Sequence, residues 1–464
     1  MKKICILIAT MLFGGIGTTM RAQIVNDNDI IVTDQEGKQE VIQLPEGMTM
    51  PFDSLMIQYN NKTYLSPDPD CNYKDFNPSY PREVYIERLQ KLPNIIEMPY
   101  NDEVQKVIDR YAGRFRQSIS SILGASNFYM PIFEQALEEY GLPLELKYLP
   151  VIESALNPKA VSRAGATGLW QFMLSTGKQY GLEVNSLVDE RCDPIKASYA
   201  AARYLKDLYR IYGDWNLVIA AYNCGPENIS KAIHRSNGKT DYWKIYPYLP
   251  KETRGYVPAF IAANYIMNYY CDHNICPMRT RLPAKTDTVM VSKNVHLEQV
   301  AAICGVELDI LRALNPQYRR NIVNGATKLS VLRLPTQAVN TFIDNEDSIY
   351  HYNADRYLKN RIEVAIEAEE TPYVAPDRGA RYVARSVVRD NGRKGRKGRN
   401  ARVVEKKGRK GRRSAGGGGQ SVTVKSGQTL SEIARRNHTT VDKLKKLNKI
   451  KGSTIQSGKK LKVK

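Results

Sequence analysis

The sequence predicts a mainly α protein built from several folded units, and three observations carry that expectation. From about Pro81 to Tyr270, apolar residues recur at three- and four-residue spacing, broken by Gly-Leu-Pro, Asn-Pro and Asp-Pro steps. That pattern is the signature of a compact set of packed helices. The chain's 464 residues are enough for two to four domains at roughly 100–200 residues each. Beyond the helical body a short pattern occurs twice: Val289, Val291, Leu297, Ala301, Leu311, Leu314 and Asn315 recur as Val422, Val424, Leu430, Ala434, Leu444, Leu447 and Asn448, at a constant offset of 133. A fixed offset of this kind marks a duplicated module.

Composition sets the outer bounds. Hydrophobic residues at 42% and charged residues at 25% are globular values and exclude a wholly disordered or collagen-like chain. A mean hydropathy of -0.44 with one substantial apolar run excludes a polytopic membrane protein. The net charge of +20 sits at the end of the chain, with +14 between Arg378 and Arg413 and +10 between Ser421 and Lys464. The first 377 residues are therefore about -4, so the body is not a bulk polyanion binder.

Taken in order, residues 1–22 read as a signal peptide: Lys2 and Lys3 precede the apolar run Ile4–Phe13, and small residues near Ala22 offer a cleavage site. The run is too short to span a bilayer, which takes roughly 17–25 residues. Cys5 lacks the context of a lipid-attachment cysteine, so a soluble mature protein of the periplasm or cell envelope is expected. Residues 23–79, rich in Asn, Asp, Pro and Tyr, read as an extended arm. Six cysteines remain in the mature chain (Cys71, Cys192, Cys224, Cys271, Cys276 and Cys304), a density that fits scattered thiols or one or two disulfides. Cys271, His273 and Cys276 lack a second pair at zinc spacing, and no metal or cofactor is expected.

Residues 80–280 form the helical domain. Asp193 and Pro194 should start a helix, one capping and the other in the first turn, with Ala197, Ala200, Ala201, Tyr204, Leu205 and Leu208 as its packed face. Leu142, Leu146, Leu149 and Glu153 fall at i, i+4, i+7 and i+11, so on one helix a carboxylate ends an apolar stripe. Desolvation there would raise its pKa, as a general acid near neutral pH requires. A structural salt bridge or a solvated helix end remains the alternative on this pattern alone.

Glu153-Ser154, then Gly168-Leu169-Trp170-Gln171-Phe172-Met173, then Ala221-Tyr222-Asn223-Cys224-Gly225-Pro226, and then Tyr256-Val257-Pro258 resemble the four ordered motifs of the family 1 soluble-type lytic transglycosylases. The resemblance implies a lysozyme-like domain whose substrate is the glycan strand of peptidoglycan. It implies that Glu153 is acid and then base in a cleavage that leaves a 1,6-anhydro ring. Ser154, Ser162, Gln171, Met173, Tyr222, Asn223 and Tyr256 match its substrate-contacting and orienting positions. The repeated module, at 286–336 and again at 421–464, resembles the LysM domain, an α+β unit of βααβ order that implies binding of a GlcNAc-containing polymer. In the first copy Asn294 and His296 stand where the second has Gly427 and Thr429, so that copy is degenerate, and a structural role competes with sugar binding.

Residues 337–420, with their basic and Gly-rich runs, read as a flexible linker. Its expected partner is an anionic envelope polymer or membrane surface rather than nucleic acid. A lysozyme-type hydrolase and a non-catalytic wall-binding protein are the competing functions.

Overall fold

The computed structural model describes residues 29–33, 39–49 and 64–359 and, near the C-terminus, 421–423, 430, 433–434, 437, 439–448, 450 and 460–463. The expected signal peptide, linker residues 360–420, Gly427 and Thr429 lie outside the described residues. The protein is mainly α, with small α+β modules after the helical body.

The chain begins differently from the expected arm. Strands β1 (Asp29–Thr33) and β2 (Gln39–Gln43) form an antiparallel hairpin with Ile30 opposite Ile42, and one helical turn, α1 (Glu46–Thr49), follows. Ile30, Val32, Ile42, Leu44 and Met48 are buried in the main core, which is why this polar-looking segment is ordered. Residues 64–80 are anchored by the two-residue pairing of β3 (Leu65–Ser66) with β4 (Arg279–Thr280) and by a Cys71–Cys276 disulfide.

The helical body comprises α2 (Arg82–Lys91), α3 (Asp102–Ala112), α4 (Arg116–Glu139), α5 (Leu149–Ser154), α6 (Leu174–Gln179), α7 (Pro194–Tyr212), α8 (Trp215–Cys224), α9 (Pro226–Arg235), α10 (Tyr242–Ile245) and α11 (Lys251–Tyr269). Side-chain caps begin four of them: Asn101 accepts from Val104 N, Asp193 from Ile195 N and Lys196 N, Asp214 from Leu217 N, and Asp241 from Lys244 N. On α7 the six residues named above are all buried. Every residue of α11 from Gly255 to Met267 is buried, the mark of a central helix rather than an amphipathic surface one.

The first module follows. β5 (Thr286–Val291) pairs antiparallel with β8 (Ser330–Pro335), Val289 opposite Leu332, and β6 (Asn294–His296) pairs with β7 (Ile322–Asn324). Helices α12 (Leu297–Cys304) and α13 (Leu308–Leu314) lie between the two pairings. Asn315 locks the end of α13 to the last strand: its amide donates to Leu311 O and Arg333 O, and its Oδ1 accepts from Arg333 N. The module does not stop at residue 336. Helices α14 (Thr336–Asp344), α15 (Glu346–His351) and α16 (Ala354–Tyr357) continue it, so residues 337–359, expected as linker, are folded. Phe342, Ile349 and Tyr350 enter the module core, and the Gln299 amide donates to the carbonyls of Ile349, Tyr350 and Tyr352.

The C-terminal unit is a second copy. β9 (Ser421–Thr423) pairs antiparallel with β10 (Lys460–Lys462), and α17 (Val441–Asn448) packs with them around Leu430, Ile433, Ala434, Leu444 and Leu461. Asn448 repeats the Asn315 lock, donating to Leu444 O and Lys462 O and accepting from Lys462 N.

Candidate active site

Leu142, Leu146, Leu149 and Glu153 do not share one straight helix, and the break falls at Pro150, where the sequence predicts a bend. A 3-10 segment, Leu144–Tyr148, leads into the short α5, which begins with Pro150 in its first turn and ends at Ser154. Pro150 has no N–H to continue the earlier ladder. The three leucines are buried as their spacing predicts. Ala155 (φ 50°) and Leu156 (φ 57°) then adopt left-handed backbone, before the Asn157-Pro158 step. Two such residues in succession, beginning two positions after Glu153, are strained, as is common beside reactive groups.

Glu153 is partly buried at the end of this helix. Loss of hydration pushes its carboxyl up to about 8, opposed by a hydrogen bond from Tyr256 and reinforced by the negative charge of Glu252. Tyr256, fully enclosed in α11, donates its hydroxyl to Glu153 Oε1. Burial and the Glu153 charge hold that phenol well above its usual range, so it stays a donor. Tyr222 donates to Trp170 O at 2.7 Å and lies within electrostatic reach of Glu153. Asn223 accepts from Thr253 Oγ1 at 2.8 Å and donates toward Glu252 Oε1 at 3.5 Å. Glu153, Tyr222 and Tyr256 therefore converge, with Asn223 beside the start of α11.

The remaining expected residues divide. Ser154 is fully buried, and its hydroxyl bonds Pro150 O and Leu169 O at 3.0 Å each. It cannot touch a glycan and instead ties α5 to the following loop, a correction to its expected substrate contact. Ser162 Oγ accepts from Ala166 N at 3.0 Å, shaping the loop between Val161 and Thr167. Gln171, itself left-handed at φ 47°, uses its amide to hold Ala160 O and Gly168 O. Met173 is 43% exposed at the start of α6.

Several supporting residues carry no sequence signal. A Cβ on Gly47 of α1 would come within 2.3 Å of the Glu153 carbonyl, and one on Gly255 within 2.1 Å of Gln43 O. The N-terminal hairpin and turn thus press on the backbone of both Glu153 and the residue preceding Tyr256. Arg191 is buried, pairs with both oxygens of Asp189, and donates to Gly165 O and Phe172 O. From the first module, Arg319 Nη2 reaches Asp189 Oδ2 at 2.6 Å. A Cβ on Gly168 would meet Arg191 O at 1.8 Å. Arg191 and Arg319 outweigh the burial of Asp189 and hold its carboxyl below the usual range. Asp193 caps α7, and Glu190 accepts from Glu183 N and Lys196 Nζ. Asp189, Glu190 and Asp193 are thus each engaged by structural partners.

A carboxyl kept protonated near neutral pH by burial and oriented by a tyrosine hydroxyl on an α-helical scaffold is what glycosidic bond protonation needs. Residues 130–245 match the transglycosylase SLT domain, 285–351 the LysM-like domain of lytic transglycosylase MltD, and 422–464 the LysM domain. The class is thereby defined by its domains: the chain carries a transglycosylase SLT domain followed by two LysM-type modules. Over 373 residues, covering 78% of this chain and 69% of the relative, it is 27% identical to membrane-bound lytic murein transglycosylase D of Escherichia coli (strain K12). It is 32% identical over 124 residues to the soluble lytic murein transglycosylase of the same organism, covering 25% of this chain and 19% of that one. A solved structure, the 70 kDa soluble lytic transglycosylase of Escherichia coli, aligns at 29% identity over 31% of this chain and 24% of that one, with a TM-score of 0.28.

Proposed function

We propose that this protein cleaves the β-1,4 bond between MurNAc and GlcNAc in peptidoglycan without water, leaving 1,6-anhydro-MurNAc ends during cell-wall turnover and remodelling. Glu153 in its protonated form donates to the glycosidic oxygen as the C1–O bond breaks, and the positive charge passes to the MurNAc C1. The C6 hydroxyl of the same sugar then attacks C1, and the Glu153 carboxylate accepts its proton, which restores the acid. One carboxyl serves both steps because the intramolecular hydroxyl is present at high effective concentration. Tyr256 orients the carboxyl, Tyr222 and Asn223 set the neighbouring wall, and Ser162, Gln171 and Met173 belong to the loop beside the strand.

The observation that carries this reading is the state of Glu153: a carboxyl raised to about 8 and bonded to Tyr256, while Asp189, Glu190 and Asp193 are engaged elsewhere. Hydrolysis would need a second carboxylate to act on water or on the sugar. Glu252, an exposed acidic group whose charge acts on Glu153, is the residue on which a hydrolytic reading would rest. Mass spectrometry of digested peptidoglycan decides between them. Products lighter than their hydrated equivalents by one water, about 18 Da, absent with Glu153→Gln and retained with Glu252→Gln, establish the anhydro route. Hydrated ends lost with Glu252→Gln establish the hydrolase.

We place the protein in the periplasm or cell envelope, exported by its N-terminal segment. No helix among the described residues is long and apolar enough to cross a membrane. The C-terminal LysM module holds a GlcNAc-containing polymer, and the basic residues between the modules hold an anionic envelope surface.

A further inference from the structure

Between the helical body and the first module lies an open-mouthed cavity of about 500 Å³, whose walls do not include Glu153. Residues of the loop 159–167 form one side and residues 316–321 of the module the other, over a floor that includes Asp189 and Arg191. Its walls carry four cationic side chains, Lys159, Arg191, Arg319 and Arg320, against the one carboxylate of Asp189. That carboxylate is already shared by Arg191 and Arg319. Lys159 and Arg320 have no carboxylate partner among the described residues. Lys159 and Arg320 are both exposed at the cavity wall, so a bound anion would meet two cations that no carboxylate already neutralises. Arg320 (φ 56°) and Asn321 (φ 58°) are both left-handed, and strain of this kind persists where a side chain must be presented in one place.

The occupant has to be anionic and larger than one inorganic ion. A volume of this size is in the range of organic ligand sites, roughly 300–1,000 Å³, and an arginine fork is shaped for a planar carboxylate. The loop that supplies Val161, Gly165 and Thr167 to the cavity also carries Ser162, so a substituent leaving the sugar strand beside Ser162 has a short path into it. In the substrate proposed above, such substituents are short peptides with free carboxylates. We propose that the cavity is a subsite for the carboxylate-bearing peptide stem of peptidoglycan, with Lys159 and Arg320 as its recognition groups. The inference rests on the proposed substrate and adds to it a preference for strands that carry peptides.

The test uses the full-length protein and Lys159→Gln/Arg320→Gln. Turnover is measured on peptidoglycan with intact stems and on glycan strands stripped of peptide by an amidase. The double variant should lose about 10-fold in kcat/KM on intact strands and less than about 2-fold on stripped strands, the size expected for two charge-assisted contacts. Equal loss on both substrates, or loss on neither, overturns the subsite. In parallel, a synthetic stem tetrapeptide is titrated into the wild type and the double variant by NMR. Binding to the wild type that is lost in the variant, and lost when the peptide carboxylates are amidated, supports the subsite. Binding that survives either change overturns it, and so does no binding to the wild type. If neither strand is cleaved by the wild type, the proposed reaction fails, while the peptide titration still decides the cavity.

Discussion

At the scale of single residues, the Glu153–Tyr256 bond makes opposite demands on the two groups. Burial favours a neutral carboxyl, and the tyrosine hydrogen bond favours the anion, with burial prevailing. Tyr256→Phe removes only the second influence, so the Glu153 pKa should rise further from about 8 and the alkaline limb of the pH–rate profile should move to higher pH. The maximal rate should fall about 10- to 100-fold because the carboxyl loses its orienting partner. A limb that stays in place or moves down would disconnect Tyr256 from Glu153. The same burial has a consequence for stability. A folded-state pKa above the unfolded value means that ionising Glu153 opposes folding, a cost absent at low pH that grows through the window between about 4.5 and about 8. Glu153→Gln should therefore raise Tm, by little near pH 4 and by the equivalent of about 2 kcal/mol near pH 8, allowing for solvent at the partly open carboxyl. Thermal melts across that range check the sign.

At the scale of elements, helices with caps and periodic apolar faces were legible in the sequence because local chemistry decides them. The Asp193 cap and the buried face of α7 follow from residues a few positions apart. The hairpin β1–β2 was not legible, since five-residue strands in a polar segment gain their order from a core contributed by helices far along the chain. Helices α14 to α16 were hidden by the basic tract beyond them, and the structural use of Ser154 by its place in a motif beside the proposed acid Glu153. The hairpin's importance can be measured. Gly255→Ala sets a methyl against Gln43 O, and overpacking against backbone should cost about 3 kcal/mol or displace the hairpin. Displacement would show as faster proteolysis near residue 29 together with a lower kcat, because the same elements back Glu153. Asp189→Ala should be more damaging than its surface equivalents, by about 3–5 kcal/mol, since it leaves Arg191 buried without a counter-charge. It would also cut a side-chain link that runs from Arg319 through Asp189 and Arg191 to the carbonyls of Gly165 and Phe172. In the first module His296 caps α12 and stacks on Tyr357 at 5.0 Å between ring centroids. The residue that departs from the second copy thus has a structural use under the added helices.

At the scale of the whole chain, charge and the proposed site are kept apart in sequence. Glu153, Tyr256 and the loop around them lie in the first 377 residues, which carry about -4, and the last stretch carries the excess that makes the total +20. A domain bearing net negative charge gains nothing from the field of an anionic wall or lipid surface, so attraction to such surfaces has to come from the tail. The two proposed mechanisms of retention respond differently to salt. Attraction by the run from Arg378 to Arg413, +14 in all, is screened once the Debye length falls to about 3 Å near 1 M salt. A LysM-type module that grips sugar through short contacts is far less sensitive to salt, although its own +10 adds a screened share. Purified envelopes loaded with full-length protein should release most of it at about 1 M salt and retain a fraction. Deleting residues 378–413 should abolish most of the salt-released fraction and leave the rest, whereas deleting 421–464 should remove the salt-resistant fraction. Glycan cleavage of short soluble fragments should be unchanged in both deletions, because neither removes an element that holds Glu153. Equal salt release from full-length protein and the 378–413 deletion would show that the basic tract is a tether without a surface to bind.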